Sequence, residues 1–432
     1  MPSANRFLEL AAENAARLKD SRAHIAGLPL AEFRAAVRRT ALSEADTYGT
    51  ELGIPRPGAA DDRPLICVGT QPELFHPGIW VKHLLADRLC AHAVVLDFSV
   101  DSDAPQDVAV VVPTMAGQHS KVRVRLVHAH RNQPYEAIPR PSDEKWTEFL
   151  DQVHRHLSNL PDGTIQESFS KFVRASAGIA APDLGSFLVS ARRRYEETTR
   201  YGTLPVSRLA NSREFRLFTL HILAYAETFA TTYNSSLDAC MAARRRPPFA
   251  RLALEGGRLP LPFWLMMNGR RLTLMAEQGA GETVRLWAED RLVATVRRTG
   301  PVDPDDIAHL ILRPKAIAFD VFRRLCVADL HIGGVGEANY DWVTTRVLSD
   351  FFNVPPPRIG ILSATFHLPL NRPEQGSWRS PYPRREHHLA DATFNAMDYR
   401  GFPFCFFARW DIEQVVEEIM GSSVVVPGHA TE

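Results

Sequence analysis

Three polar loops in this chain combine residue types and spacing that could do chemistry. The first is Gly69-Thr70-Gln71-Pro72-Glu73-Leu74-Phe75-His76-Pro77-Gly78, lying between an apolar run that reads as a strand and a pattern that reads as a helix. In open α/β sheets ligands bind beyond the carboxyl ends of strands, and helix starts offer free N–H groups to anions. Gln71, Glu73 and His76 stand where a substrate would reach them. The plain alternative is a strand-to-helix connection punctuated by Pro and Gly. The second loop is Asp97-Phe98-Ser99-Val100-Asp101-Ser102-Asp103. Its carboxylates could orient a hydroxyl or an amine, or hold Mg²⁺; Asp is equally favoured in ordinary turns. The third is Leu330-His331-Ile332-Gly333-Gly334-Val335-Gly336-Glu337-Ala338-Asn339-Tyr340-Asp341. Glycines between a strand and a helix let the backbone approach a ligand. Their spacing is not that of the dinucleotide fingerprint. Here Gly333, Gly334 and Gly336 are the expected cradle, with His331, Glu337 and Tyr340 beside it. Glu337 would begin the next helix, whose dipole favours an ionised carboxylate. It is expected to face a substrate amine or hydroxyl, or else to cap that helix.

Other polar groupings are weaker. His387, His388 and Asp391 lack further ligands for a metal, and no metal centre is expected. Arg192-Arg193-Arg194 and Arg244-Arg245-Arg246 lack interleaved aromatics and read as solvated helix ends. The chain has no G-x-x-x-x-G-K-[ST], G-x-S-x-G or H-E-x-x-H motif. Its 50 basic and 50 acidic residues cancel, which argues against broad binding to nucleic acid or anionic membrane. With 45% hydrophobic residues over 432 positions, the composition is that of a globular protein. Its five scattered cysteines fit a reducing compartment. With no signal-peptide pattern and no apolar stretch long enough to span a bilayer, a cytoplasmic protein is expected.

The elements that must position these loops are legible in outline. Residues 6–53 read as helical, with Leu8, Leu10, Ala11 and Ala15 on one face. Short continuous apolar runs at 65–68, 93–98 and 108–112 read as buried parallel strands. Alternation at 121–126 reads as a half-exposed edge strand. Residues 143–245 look mainly helical, including 184–201 and 212–246. Asn268-Gly269 marks a hairpin within an antiparallel meander at 261–298. From 310 onward strand and helix alternate again. The expected fold class is therefore α/β, with a discontinuous Rossmann-like parallel core. The division is a helical segment 1–62, core 63–142, a helical and antiparallel insertion 143–304, core 305–370 and a tail 371–432. The strands at 65–68, 94–98 and 328–332 are expected to share one sheet. Gln71, Asp101, Asp103 and the Gly333-to-Glu337 loop are expected to meet in one cleft at its carboxyl edge.

Taken in order, these segments resemble the cysteine-adding enzymes of bacillithiol biosynthesis, the BshC family. Gly69, Gln71, Leu74 and Phe75 match a Gly-His-Gln loop, with Thr70 in place of the histidine. Asp101 and Asp103 match a Glu-Asp-His-Asp segment, with Val100 and Ser102 replacing its first and third residues. Leu312-Arg313-Pro314 and the run from Ala328 through Gly333, Gly334, Gly336 and Glu337 to Tyr340 match most closely. Thr232-Tyr233-Asn234 and Leu261-Pro262-Phe263-Trp264 are also similar, and the resemblance spans roughly residues 63–365. It implies a Rossmann-like core, a nucleotide site for ATP or ADP, and addition of cysteine to an amino-sugar acceptor in bacterial thiol metabolism. On that reading Asp103 and Glu337 are candidate bases. Gly69, Thr70, Gln71, His76, Asp101, Arg313, His331, the three glycines and Tyr340 are binding residues. The alternative is a non-catalytic nucleotide or small-molecule binder on the same fold. A third is a structural partner whose meander presents a binding edge. Only a small-molecule partner is expected; the oligomeric state stays open.

Overall fold

The computed structural model describes residues 4–58, 62–115, 119–160, 163–197, 199–243, 249–298, 302–362, 364, 366, 368 and 402–421. Arg244, Arg245, Arg246, His387, His388 and Asp391 lie outside the described residues. The chain opens with α1 (Ala4–Lys19), a small ribbon of β1 (His24–Ile25) and β2 (Leu28–Pro29), and α2 (Leu30–Leu52). Next come β3 (Leu65–Thr70), α3 (Pro77–Leu89), β4 (Val94–Ser99), and a ribbon of β5 (Asp107–Met115) and β6 (His119–His128). Helices α4 (Asp143–Leu157), α5 (Gly163–Ala175) and α6 (Leu184–Tyr195) lead to β7 (Gly202–Pro205). Helices α7 (Val206–Ala210), α8 (Arg213–Ala224) and α9 (Ala226–Ala242) lead to strands β8 (Leu259–Met267), β9 (Arg270–Gln278), β10 (Thr283–Ala288) and β11 (Arg291–Arg297). Then follow β12 (Leu312–Pro314), α10 (Ala316–Phe322), a π-helical turn Arg323–Val327 and β13 (Leu330–Gly333). The described chain ends with α11 (Val335–Ala338), α12 (Asp341–Asp350), β14 (Gly360–Ile361) and α13 (Arg409–Gly421).

A five-stranded parallel sheet in the order β14-β13-β3-β4-β7 forms the centre. The strands at 65–70, 94–99 and 330–333 thus share one sheet, although His331 pairs with Cys67 from 264 positions away. Successive side chains of a strand point to opposite faces, and here each face feeds its own core. Leu65, Cys67, Leu96, Phe98 and Leu204 join one cluster with α2, α8 and α10. Ile66, Val68, Val95, Leu330 and Ile332 join another with α1, α3, α6 and α13. Burial on both faces is why these strands read as unbroken apolar runs.

Several expectations need correction. The run at 108–112 is not a strand of the parallel sheet: it pairs antiparallel with 119–128 in a separate ribbon. Buried Val110, Val112, Val124 and Leu126 give that ribbon one apolar face, and a run of valines carries no record of its partner. Helix α6 stops at Tyr195, and β7 supplies the fifth parallel strand from a stretch expected to be helical and inserted. The buried row of α1 is Phe7, Ala11, Asn14 and Leu18, so of the expected face only Ala11 lies in it. The meander forms as expected, with Asn268 (φ 53°) and Gly269 (φ 71°) in the left-handed pair of a tight hairpin. Strand β12 then adds to it beside β8, so the antiparallel sheet draws on residues beyond 304.

Candidate functional site

A cavity of about 1160 Å³ opens beyond the carboxyl ends of the parallel strands, facing β8 and β9 of the antiparallel sheet. Gly69 and Thr70 close β3, while Gly334, Gly336 and Glu337 follow β13. The strand order reverses between β3 and β13, so their connections leave in opposite directions and a crevice remains. Gln71, His76, Ser102, Asp103 and Tyr340 also line it. Three loops far apart in sequence therefore meet in one place.

Each expected residue has a definite position. Gln71 donates from Nε2 to Asp103 at 3.2 Å. The other oxygen of Asp103 accepts from Arg271 at 2.8 Å. His76 caps α3, its Nδ1 accepting the Gly78 N–H at 2.9 Å, and Pro77 occupies the first turn. Tyr340 meets Phe249 edge-on, with ring centroids 5.0 Å apart.

Asp101 turns away from the cavity. It accepts from the backbone N–H of Ser207 at 3.0 Å and from the Ser207 hydroxyl, fixing the start of α7. Burial, helped by Glu136, pushes its carboxyl up to about 7. Arg313 is also withdrawn. Its guanidinium meets both oxygens of Glu136 at 2.8 Å and donates to Asn211, so the group expected to bind a ligand is occupied by the protein's own side chains.

His331 lies behind Glu337, with Nδ1 3.1 Å from the Cys67 carbonyl and Nε2 2.8 Å from Glu337 Oε1. Both neighbours are acceptors, so only a doubly protonated ring satisfies them together. Burial and Arg323 oppose that charge and pull His331 down to about 4, against the attraction of Glu337. Glu337 is ionised, though for another reason than expected. Burial pushes its carboxyl up, but His331, Arg323 and Lys82 outweigh this and hold it well below the ordinary range. Arg323 donates to it at 2.6 Å. It does not cap a helix; it sits within the short α11 and bridges Arg323 of the cavity floor and His331 behind it. The ideal Cβ that Gly333 lacks would lie 3.0 Å from Glu337 Cδ, so this glycine makes room for the carboxylate.

Four further residues were not singled out from sequence. Arg271 stands 4.8 Å from the centre of the Trp264 ring and Lys315 Nζ 4.4 Å from it, a cation–aromatic–cation group on the cavity wall. Burial, with Arg271 nearby, pulls Lys315 down to about 8. Asp320 and Arg323, hydrogen-bonded to each other, line the floor where α10 passes into the π-helical turn. Burial, reinforced by Glu337, pushes Asp320 up to about 7 in spite of Arg323. A signal existed: Asp320 is the lone charge in Ala316-Ile317-Ala318-Phe319-Asp320-Val321-Phe322.

The arrangement offers a carboxyl group that titrates near neutrality, fixed charges of both signs and aromatic walls, which suits a polar small molecule. Among the described residues no group of three or more His, Cys, Asp or Glu is placed to hold a metal ion, and no helix is long and apolar enough to cross a membrane. Compared with known proteins, the chain matches no family model, no curated protein and no solved structure.

Proposed function

We propose that this cavity is the active site of a ligase-like enzyme that joins an amino acid to the amine of a small acceptor, on a Rossmann-like core. The observation that carries the reading is the meeting of the 69–76, 102–103 and 334–340 loops at the reversal point of the parallel sheet. Numbered along the chain, the five strands run 5-4-1-2-3, the doubly wound order, which places ligands at that point. An attacking amine must first lose a proton, which requires a base matched to the working pH. Glu337 is a poor base because its ionised form is so strongly favoured. Asp320, titrating at about 7, suits the role, while Asp103 and Glu337 orient the ammonium group. The resembled family has histidines where this chain has Thr70 and Ser102; His76 lines the same cavity and keeps an imidazole there. The nucleotide of the proposal is ATP or ADP, and carboxyl activation is the chemistry a triphosphate supplies. The open backbone of Gly334 and Gly336, with no atom of the described residues within 4 Å of an added Cβ, leaves room for such a group. Cysteine and an amino sugar are the first substrates to try.

One observation favours a non-catalytic binder instead: Asp103 and Glu337 are both held in ion pairs, with Arg271 and Arg323. The readings part in one experiment. The protein is incubated with ATP, cysteine and amino sugars, and products are read by mass spectrometry alongside thermal shifts with each ligand. A conjugate is expected, formed at a rate that rises with pH through about 7 and loses that rise in Asp320→Asn. Thermal shifts without any conjugate would favour the binder. No conjugate and no shift with any nucleotide would remove the ligase reading.

A further inference from the structure

Lys82 is a charged residue where the surroundings offer it little. It is 4% exposed, in the run Ile79-Trp80-Val81-Lys82-His83-Leu84-Leu85 of α3, yet it lines the cavity. Its ammonium carries three N–H groups. Among the described residues they have one hydrogen-bond acceptor, the Gly69 carbonyl at 3.2 Å, and no carboxylate within salt-bridge distance. Arg323, 3% exposed, reaches the same strand end: its Nη1 would lie 3.7 Å from a Cβ built on Gly69. Its Nη2 serves Asp320 and Glu337, while its Nε–H is buried without an acceptor among the described residues. Buried donors short of acceptors are costly. Lys82, with one acceptor for three N–H groups, and Arg323 Nη1 converge on one residue of the cavity wall, which defines a place for an acceptor.

We propose that the cavity floor at Gly69 is an oxyanion site, in which Lys82 and Arg323 hold a carboxylate or phosphate group of the ligand. The charges agree. Arg271 and Arg323 on the cavity wall are matched by Asp103, Asp320 and Glu337, whereas Lys82 has no such partner among the described residues. Burial pulls Lys82 down from its ordinary value, and an anion beside it restores the charged form. The site is distinct from Arg313, whose guanidinium is taken up by Glu136. It rests on the proposed active site and names a chemical group its substrate must carry.

The test titrates the whole chain with inorganic phosphate and, separately, with acetate at constant ionic strength, reading binding by calorimetry. Saturable binding of at least one anion is expected, weakened at least tenfold in Lys82→Met. Tighter phosphate points to a nucleotide-like ligand, tighter acetate to the carboxylate of an amino acid. No saturable binding, or equal affinity in a folded Lys82→Met, overturns the site. Should that variant fail to fold, acylation of Lys82 in the unaltered protein is followed by peptide mass spectrometry. Protection by the anion that spares other lysines is expected; an inert Lys82, or one the anion leaves unprotected, overturns the site. Conjugate formation is scored in the same samples. Lys82-dependent anion binding without conjugate keeps the oxyanion site and removes the ligase reading. Conjugate formed by a Lys82→Met protein with undiminished anion affinity removes the oxyanion site alone.

Discussion

At the scale of single residues, the cavity floor is a set of charges whose protonation depends on one another. Asp320 is raised by burial to about 7, so between its ordinary value near 4 and pH 7 the folded state holds a proton that the unfolded chain has released. Its contribution to stability is therefore fully present below pH 4 and lost as pH rises through 7. Replacing it with Asn removes that loss. Urea unfolding at pH 5 and pH 8 should show the variant gaining on the parent protein as pH rises, by up to about 2.5 kcal/mol; an equal difference at both pH values would count against the raised carboxyl. Glu337→Gln has a different signature. Its carboxylate accepts charge-assisted hydrogen bonds from Arg323 and faces His331, so the variant should lose about 1.5–3 kcal/mol. A loss under 0.5 kcal/mol would mean that the carboxylate serves the ligand and not the fold. Lys82 and Asp320 show why this chemistry was hard to read in advance. Each is one charge within an apolar helical pattern, and a core helix with one buried ion looks the same in sequence as one whose ion faces a cavity.

At the scale of elements, the loop after β13 was legible because glycines between an apolar run and a helical pattern have few other uses. The three glycines nonetheless do different jobs. Gly333 lies under the Glu337 carboxylate, whereas Gly334 and Gly336 face open space. Gly333→Ala should cost about 1–3 kcal/mol by forcing Glu337 off its partners. Gly334→Ala should stay within about 0.5 kcal/mol. Urea midpoints for the two variants check the ranking, and equal midpoints would refute it. The run at 108–112 takes another partner than the one expected for a reason of the same kind, while the alternation at 121–126 does form a strand. Continuous apolar runs report burial, not the partner strand, and Val108-Ala109-Val110-Val111-Val112 fits either sheet. Strand β7 escaped notice because Gly202-Thr203-Leu204-Pro205 is short and bounded by turn residues. The hairpin at Asn268-Gly269 was legible because its backbone conformation demands those residue types.

At the scale of the whole molecule, buried charges tie α2 to the sheet. Asp329, 3% exposed, accepts from Arg34 and Arg38 of α2 at 2.9 Å and from the backbone N–H of Leu65 at 2.8 Å. One carboxylate thus fixes α2, the start of β3 and the start of β13. Breaking a buried pair leaves the partner's charge uncompensated. Asp329→Asn should lower unfolding free energy by about 3–5 kcal/mol, and a loss below 1 kcal/mol would show that the three elements hold together without it. None of this could be read from sequence, since Arg34 and Asp329 are 295 positions apart and each looks like a surface residue.

The placement of β13 between β14 and β3 bears on how the chain is made. On the ribosome β3 and β4 emerge early, but the strand that covers the other edge of β3 follows 264 positions later. At about 5–20 residues per second that delay is roughly 13–50 seconds. Throughout it, the edge of β3 stands unpaired in the nascent protein, with its backbone N–H and C=O groups open beside the apolar side chains of Leu65 to Val68, the kind of surface that chaperones bind and that seeds aggregation. Fragments ending before residue 330 should accordingly precipitate or co-purify with chaperones, and slowing translation between β3 and β13 should lower the yield of folded protein.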